Sequence, residues 1–115
     1  MALKAYGLEK CSTCQNALAY LDEKKVAIDF TDYSVDKPTK DQVAKWMKAV
    51  GGWEKLLNRA SYTWRGLSEA DKTDVTEAKA IKLALAHTTL IRRPLIEHAD
   101  GTVTVGFSAK TKERF

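Results

Sequence analysis

At 115 residues the chain has the length of one domain able to bury on the order of two-thirds of the surface its unfolded form exposes, so disulfide staples are not required for folding. Its formal charge of +4 and pI near 9.1 come without a basic tract, which leaves a solvated surface that could also suit a small anion and gives no support to direct nucleic-acid binding. Residues 1–6 lack a signal-peptide core and no apolar run approaches the roughly 20 residues of a membrane span, so a cytoplasmic protein without membrane contact is expected, in which two neighbouring cysteines are catalytic or metal-binding rather than structural.

Residues 2–6 form a short apolar strand candidate that feeds into Tyr6-Gly7-Leu8-Glu9-Lys10-Cys11-Ser12-Thr13-Cys14-Gln15-Asn16. Beyond it, Cys14, Ala17, Leu18 and Leu21 fall at i, i+3, i+4 and i+7, the spacing of a helix with one apolar face. A Cys-x-x-Cys at a strand-to-helix turn is a redox signature, because the unpaired N–H groups and partial positive charge of a helix N-terminus favour thiolate over thiol. Cys11 at the N-cap gains most, whereas Cys14 falls at the third helical position, within reach of a disulfide formed on Cys11. Lowering a thiol pKa from roughly 8.5 to about 7 would raise its thiolate share near neutral pH from a few per cent to about half.

Lys24 and Lys25 suit the helix end, and the alternation of Val26, Ile28 and Phe30 with Ala27, Asp29 and Thr31 predicts a second strand. Strand, helix and strand in this length make a βαβ unit with parallel strands. Thr39 and Gln42 then have the form of a capping box opening a helix with Val43, Trp46, Met47 and Val50 on its apolar stripe, stopped by Gly51-Gly52. Helical character continues over 53–58, 68–73 and from Thr76, where Ala78, Ile81, Ala84 and Leu85 share a side. So much helix predicts an inserted subdomain over about 38–87, with Trp46, Trp53 and Trp64 packing it.

Strand character returns over 95–99 and 102–105, and the Asp100-Gly101 pair between them predicts a two-residue hairpin turn with positive φ at both positions. Ser108 is placed to cap a final short helix. His87 and His98, the remaining soft ligands, match no common zinc spacing, so no metal is expected. The order is that of an α/β, thioredoxin-like fold (βαβ…ββα) with an inserted helical subdomain, the thioredoxin-like part covering about 1–37 and 88–115. In such folds the proline before the third strand, here Pro94, is commonly cis and faces the cysteines; a trans proline opening an edge strand is the other reading.

Several motifs together resemble one family. Cys11-Ser12-Thr13-Cys14-Gln15-Asn16, Leu57-Asn58-Arg59 with Thr63-Trp64-Arg65, Leu90-Ile91-Arg92-Arg93-Pro94-Leu95 and Val105-Gly106-Phe107 are similar, in order and through nearly the whole chain, to the ArsC/Spx/YffB family of glutaredoxin-linked arsenate reductases, the regulator Spx and small YffB-like proteins. The resemblance implies Cys11 as nucleophile and Arg93 as the arginine that helps hold an anionic substrate, with Pro94, Arg59 and Thr13 completing a substrate or glutathione site. Two arginines of the arsenate site are replaced, by Gln15 and Gly106, and losing fixed cations weakens both oxyanion binding and thiolate stabilisation. The short chain and its Leu-Asn-Arg, Thr-Trp-Arg and Gly-Phe segments look most like the YffB branch, which implies a glutathione-dependent thiol-disulfide oxidoreductase with Cys14 as resolving cysteine. Glutathione would be a co-substrate, with glutathione or a glutaredoxin- or thioredoxin-type protein as reductant, and no tightly bound cofactor is expected. The alternatives are an Spx-like redox-switched regulator that binds RNA polymerase, for which Cys14 speaks, and an arsenate reductase.

Overall fold

In the computed structural model, which describes residues 3–115, strand β1 (Leu3–Gly7) and strand β2 (Ile28–Asp32) pair in parallel from Leu3 with Ile28 to Gly7 with Asp32. The expected first strand began at Ala2, which lies outside the described residues. Helix α1 (Ser12–Glu23) joins the two strands and buries Cys14, Ala17 and Leu21 on its inner face, with Leu18 half-buried beside them. Lys24 closes the helix, and Lys25 turns the chain with φ 58°. The second strand starts two residues later than the alternation suggested, because Val26 uses its N–H on the Leu21 carbonyl at 2.9 Å and belongs to the helix exit.

Strands β3 (Leu95–Glu97) and β4 (Val103–Val105) complete a four-stranded sheet of order β2-β1-β3-β4, in which β3 runs antiparallel to both β1 and β4. Ala5, Leu21 and Ile96 form the centre of the core under this sheet, and Leu3, Tyr20, Val26, Ile28, Phe30 and Phe115 close around them. The hairpin is not the two-residue turn expected of Asp100-Gly101. Gly101 N–H donates to the His98 carbonyl at 3.0 Å and His98 N–H to the Thr102 carbonyl at 2.8 Å, and positive φ falls on Gly101 alone, at 87°. This is the three-residue connection in which one left-handed residue follows a tight turn, so Asp100 keeps an ordinary φ and instead accepts the Thr102 N–H at 3.0 Å. Helix α7 (Ala109–Lys112), capped by Ser108, ends the chain's regular structure.

The chain divides into two compact units, residues up to Asp36 with Arg93–Phe115 in one and Lys37–Arg92 in the other. The second unit consists of α2 (Lys40–Val50), α3 (Trp53–Leu56), α4 (Tyr62–Arg65), α5 (Glu69–Lys72), α6 (Glu77–Ala86) and a 3-10 turn (Thr88–Leu90). The capping box is present, with Thr39 Oγ1 accepting the Gln42 N–H at 3.1 Å and Gln42 Oε1 accepting the Thr39 N–H at 2.9 Å. Ser61, Ser68 and Thr76 cap α4, α5 and α6 with a single bond each, their hydroxyls accepting the N–H of Trp64, Asp71 and Lys79. In α6 the buried stripe is Ala80, Ile81, Leu83 and Ala84, rotated from the expected one, with Ala78 exposed and Leu85 half-buried. Trp46 is fully buried, whereas Trp53 and Trp64 stack on each other at 6.0 Å. Charge also divides by unit: Lys37–Arg92 carries eleven Lys and Arg against six Asp and Glu, and the remainder carries eight against nine.

Candidate active site

The carboxyl ends of β1 and β2 open onto the two cysteines. Just past Asp32, Tyr33 N–H donates to the Gly7 carbonyl at 3.0 Å and continues the pairing of the two strands by one step. The loop between Gly7 and α1 is held from both sides, with Asp32 accepting the Glu9 N–H at 3.0 Å and Gln15 Nε2 donating to the Glu9 carbonyl at 3.1 Å. Within the loop, Cys11 N–H donates to the Leu8 carbonyl at 3.1 Å. Cys11 is therefore fixed at the N-cap of α1, in extended backbone with φ −79° and ψ 125°, half-buried and reduced.

Its sulfur makes no full capping hydrogen bond, yet the N–H groups of Cys14 and Thr13 approach closely enough to favour its anion. Burial alone would push the Cys11 thiol up. The Cys14 N–H, the Arg93 guanidinium, the Cys14 thiol and the Thr13 N–H together outweigh burial and bring it down from 9.0 to about 7. Arg93 Nε donates to Cys11 Sγ at 3.4 Å, and its Nη1 donates to Tyr33 Oη at 3.4 Å. The tyrosine is fully buried and thus holds the guanidinium from a fixed point. The Arg93–Pro94 peptide is cis, β3 begins directly after it, and the Pro94 carbonyl accepts the Gly106 N–H at 3.1 Å.

Cys14 has the opposite environment. With 0% of its surface exposed, burial pushes its thiol up to about 11, and the neighbouring Cys11 charge adds to the rise, against the lowering by the Leu8 N–H and Arg93. Its sulfur rests against Gly7 so closely that a Cβ there would lie 2.6 Å away. The two thiols are thus pushed in opposite directions, Cys11 toward its anion and Cys14 toward its protonated form.

Of the residues singled out in the sequence, Cys11, Cys14, Arg93, Pro94 and the Thr13 backbone belong to this one constellation. Arg59 belongs to the helical unit, where it lies over the Trp53 ring at 5.7 Å and 3.9 Å from Glu54. Gln15 and Gly106 are used locally, one to staple the cysteine loop and the other to pair with Pro94. Tyr33 and Gly7 were not recognised in the sequence. Their one signal is position, since both sit at the carboxyl end of a strand of the parallel pair, where ligands of α/β sheets bind. Among the described residues no group of three or more His, Cys, Asp or Glu is placed to hold a metal ion, and no helix is long and apolar enough to cross a membrane.

Comparison with known proteins gives the frame for this geometry. A family model described as the ArsC family matches residues 6–115. The chain belongs to the ArsC family. An uncharacterised Haemophilus influenzae protein is 32% identical over 108 residues, covering 94% of this chain and 93% of that one. A solved YffB protein is 39% identical, covers 98% of this chain and 97% of its own, and superposes with a TM-score of 0.90. An arsenate reductase (ArsC) related protein from Brucella melitensis is 33% identical, covers 100% of this chain and 94% of its own, and gives 0.80. The ArsC-family chain thus has the fold of arsenate reductase-like thiol oxidoreductases, and its two cysteines lie at the start of α1 in that fold.

Proposed function

We propose that this ArsC-family protein is a glutathione-dependent thiol-disulfide oxidoreductase with Cys11 as nucleophile and Cys14 as resolving thiol. The observation that carries the reading is the Cys11 sulfur, turned toward the first N–H groups of α1 and 3.4 Å from Arg93 Nε, with its thiol lowered to about 7. Roughly half of it is thiolate at neutral pH, where an ordinary thiol is a few per cent ionised.

In the first step the Cys11 thiolate attacks the glutathionyl sulfur of a mixed disulfide. A sulfur–sulfur bond forms on Cys11, the old one breaks, and the substrate thiolate leaves and takes a proton from solvent. Arg93, partly buried and anchored on Tyr33, offsets negative charge on the attacking sulfur and on an anionic group beside it. With Cys11 in a disulfide, its charge no longer opposes ionisation of Cys14. The Cys14 thiol loses its proton, attacks Cys11 Sγ and expels glutathione thiolate, which accepts a proton, leaving the Cys11–Cys14 disulfide. Two glutathione molecules, or a dithiol protein of the glutaredoxin or thioredoxin type, then supply the two electrons that reduce it.

Arsenate is disfavoured as a substrate because Gln15 and Gly106 bring no cation where the arsenate site needs one. Steady-state turnover of a glutathionylated peptide with glutathione, run beside arsenate, tests the reading. Turnover that is lost in Cys11→Ser and absent with arsenate supports it. Arsenate reduction exceeding peptide deglutathionylation, or no turnover of either with the cysteine pair cycling only as a switch, refutes it.

A further inference from the structure

Asp32 is the last residue of β2, and Tyr33, the anchor of Arg93, follows it directly. All three belong to the unit that holds the cysteines. The Asp32 backbone is locked twice: it pairs with Gly7 across the parallel strands, and its carbonyl accepts the N–H groups of Val35 at 3.1 Å and Asp36 at 3.0 Å in a tight turn. From this fixed point the carboxylate reaches in two directions. Oδ1 accepts the Ser34 N–H at 2.9 Å and the Ser34 hydroxyl at 2.5 Å, while Oδ2 accepts the Glu9 N–H at 3.0 Å.

The first oxygen has an ordinary explanation. An aspartate that accepts the N–H two residues on makes a local turn, and asparagine does so equally well. The second oxygen has no local use, since Glu9 lies twenty-three residues earlier in the chain, two before Cys11. Only a carboxylate offers an acceptor on both arms. A primary amide has one acceptor and one donor, so whichever way it turned, the N–H of Glu9 or that of Ser34 would meet a donor. The Ser34 hydroxyl, the Glu9 N–H and the Ser34 N–H hold the Asp32 carboxyl below its ordinary 3.8, so the bridging anion is the form present at neutral pH.

These bonds close a ring around the nucleophile. Arg93 Nε donates to Cys11 Sγ at 3.4 Å, Arg93 Nη1 donates to the buried Tyr33 Oη at 3.4 Å, Tyr33 adjoins Asp32, and Asp32 grips Glu9. The last link, from Glu9 to Cys11, is stiffened by the turn in which Cys11 N–H donates to the Leu8 carbonyl at 3.1 Å. Losing the Asp32–Glu9 bond opens the ring, and the attraction between thiolate and guanidinium falls as they separate.

We propose that Asp32 is a positioning residue for Cys11, its carboxylate clamping the cysteine loop at the distance at which the Arg93 guanidinium meets the sulfur. This rests on the reading of Cys11 as nucleophile and not on the identity of the reductant. Besides burial, the groups that act directly on the Cys11 sulfur among the described residues are the Cys14 N–H, the Arg93 guanidinium, the Cys14 thiol and the Thr13 N–H. Asp32 is none of these and acts through the loop. A direct effect of its charge would have the opposite sign: a carboxylate opposes ionisation of a thiol, so neutralising it would ease ionisation, whereas releasing the loop from Arg93 hinders it.

Asp32→Asn, uncharged and nearly isosteric, separates the two. The assay is iodoacetamide alkylation of Cys11 against pH in the reduced full-length Cys14→Ser chain. The expected result is a titration midpoint raised by about half a unit, which is a roughly threefold smaller thiolate-to-thiol ratio. With Arg93→Met already in place that rise should shrink to under about half, because the clamp then has no guanidinium to hold the sulfur against. Ser34→Ala, which removes one bond aiming Oδ1 and leaves the carboxylate, should move the midpoint the same way by less. It decides the matter if urea denaturation shows that Asp32→Asn does not fold, and an unmoved midpoint there overturns the clamp. In a folded Asp32→Asn chain, a midpoint that stays or falls overturns it, whatever the change in stability, and so does a full rise without Arg93. A midpoint near 9.0 before any change at Asp32 overturns the nucleophile reading and the clamp together, whereas one near 7 that ignores Asp32→Asn overturns the clamp alone.

Discussion

Gly7→Ala perturbs the cysteine pair from beneath. A methyl at this position would lie 2.6 Å from Cys14 Sγ, 3.5 Å from Phe30 Cε2 and 3.6 Å from Arg93 Cβ. Unstrained heavy-atom contacts of this kind lie at about 3.5–4.0 Å, so the thiol must move by about 1 Å while the other two neighbours block the methyl's retreat. Cys14 is fully buried, and overpacking such a site costs about 1–3 kcal/mol. For a chain of this length that lowers the melting temperature by roughly 4–15 °C. Urea denaturation of the reduced protein reads the cost directly, and Cys14→Ala is its internal control. With Sγ removed the methyl has room, so the Gly7→Ala penalty should shrink by about 1 kcal/mol or more in that background. A penalty under about 0.5 kcal/mol in the wild-type chain, or an equal penalty with and without Cys14 Sγ, would refute the close-approach explanation of Gly7.

Tyr33→Phe keeps the buried ring and removes the hydroxyl that takes the Arg93 Nη1 hydrogen bond; alkylation of Cys11 against pH should show its pKa rising by a fraction of a unit, less than in Arg93→Met. Thr39→Ala dissolves the capping box of α2 and should cost about 1 kcal/mol in chemical denaturation, with no change in the Cys11 alkylation profile. His98, half-buried, within 2.8 Å of Thr104 Oγ1 and stacked on Phe115, has its pKa lowered by burial and by Arg114, partly opposed by Asp100. The unfolded chain therefore takes up a proton near the ordinary 6.5 before the folded one does, and stability should fall as pH drops through that value, flattening once the folded pKa is passed. Denaturation midpoints from pH 8 to 5 should show that slope, and His98→Asn should remove it.

Much of the site was legible because its signals are local. Cys11 at a strand-to-helix boundary is an N-cap by position, and the apolar spacing of Cys14, Ala17 and Leu21 already assigned the second thiol to the buried face. Thr39 with Gln42 is a reciprocal pair within one turn, so its geometry is written in four residues. Three-dimensional requirements were less visible. Nothing local marks Tyr33 as the anchor of Arg93, sixty residues away, or Gly7 as the residue whose missing side chain makes room for Cys14. The stripe of α6 was misread because alanines contribute so little apolar area that Ala78 and Ala80 look alike in sequence, and it is Leu83 that settles the buried face. In the hairpin, Asp-Gly suits more than one turn; the pairing of Leu95 with Val105 and Glu97 with Val103 sets the connection length. Arg59 was singled out from its neighbourhood in sequence, and its contacts prove to be Trp53 and Glu54 of its own unit.

In the proposed mechanism α1 and Arg93 make Cys11 a nucleophile at neutral pH while Cys14 stays protonated. Iodoacetamide alkylation rates of the reduced Cys14→Ser chain, measured from pH 5 to 10 and compared with Arg93→Met in the same background, test it most directly. A titration centred near pH 7, moved up by about one unit when the guanidinium is removed, is the expected result. A Cys11 that titrates near 9.0 like an ordinary thiol, or whose titration ignores the loss of Arg93, would contradict it.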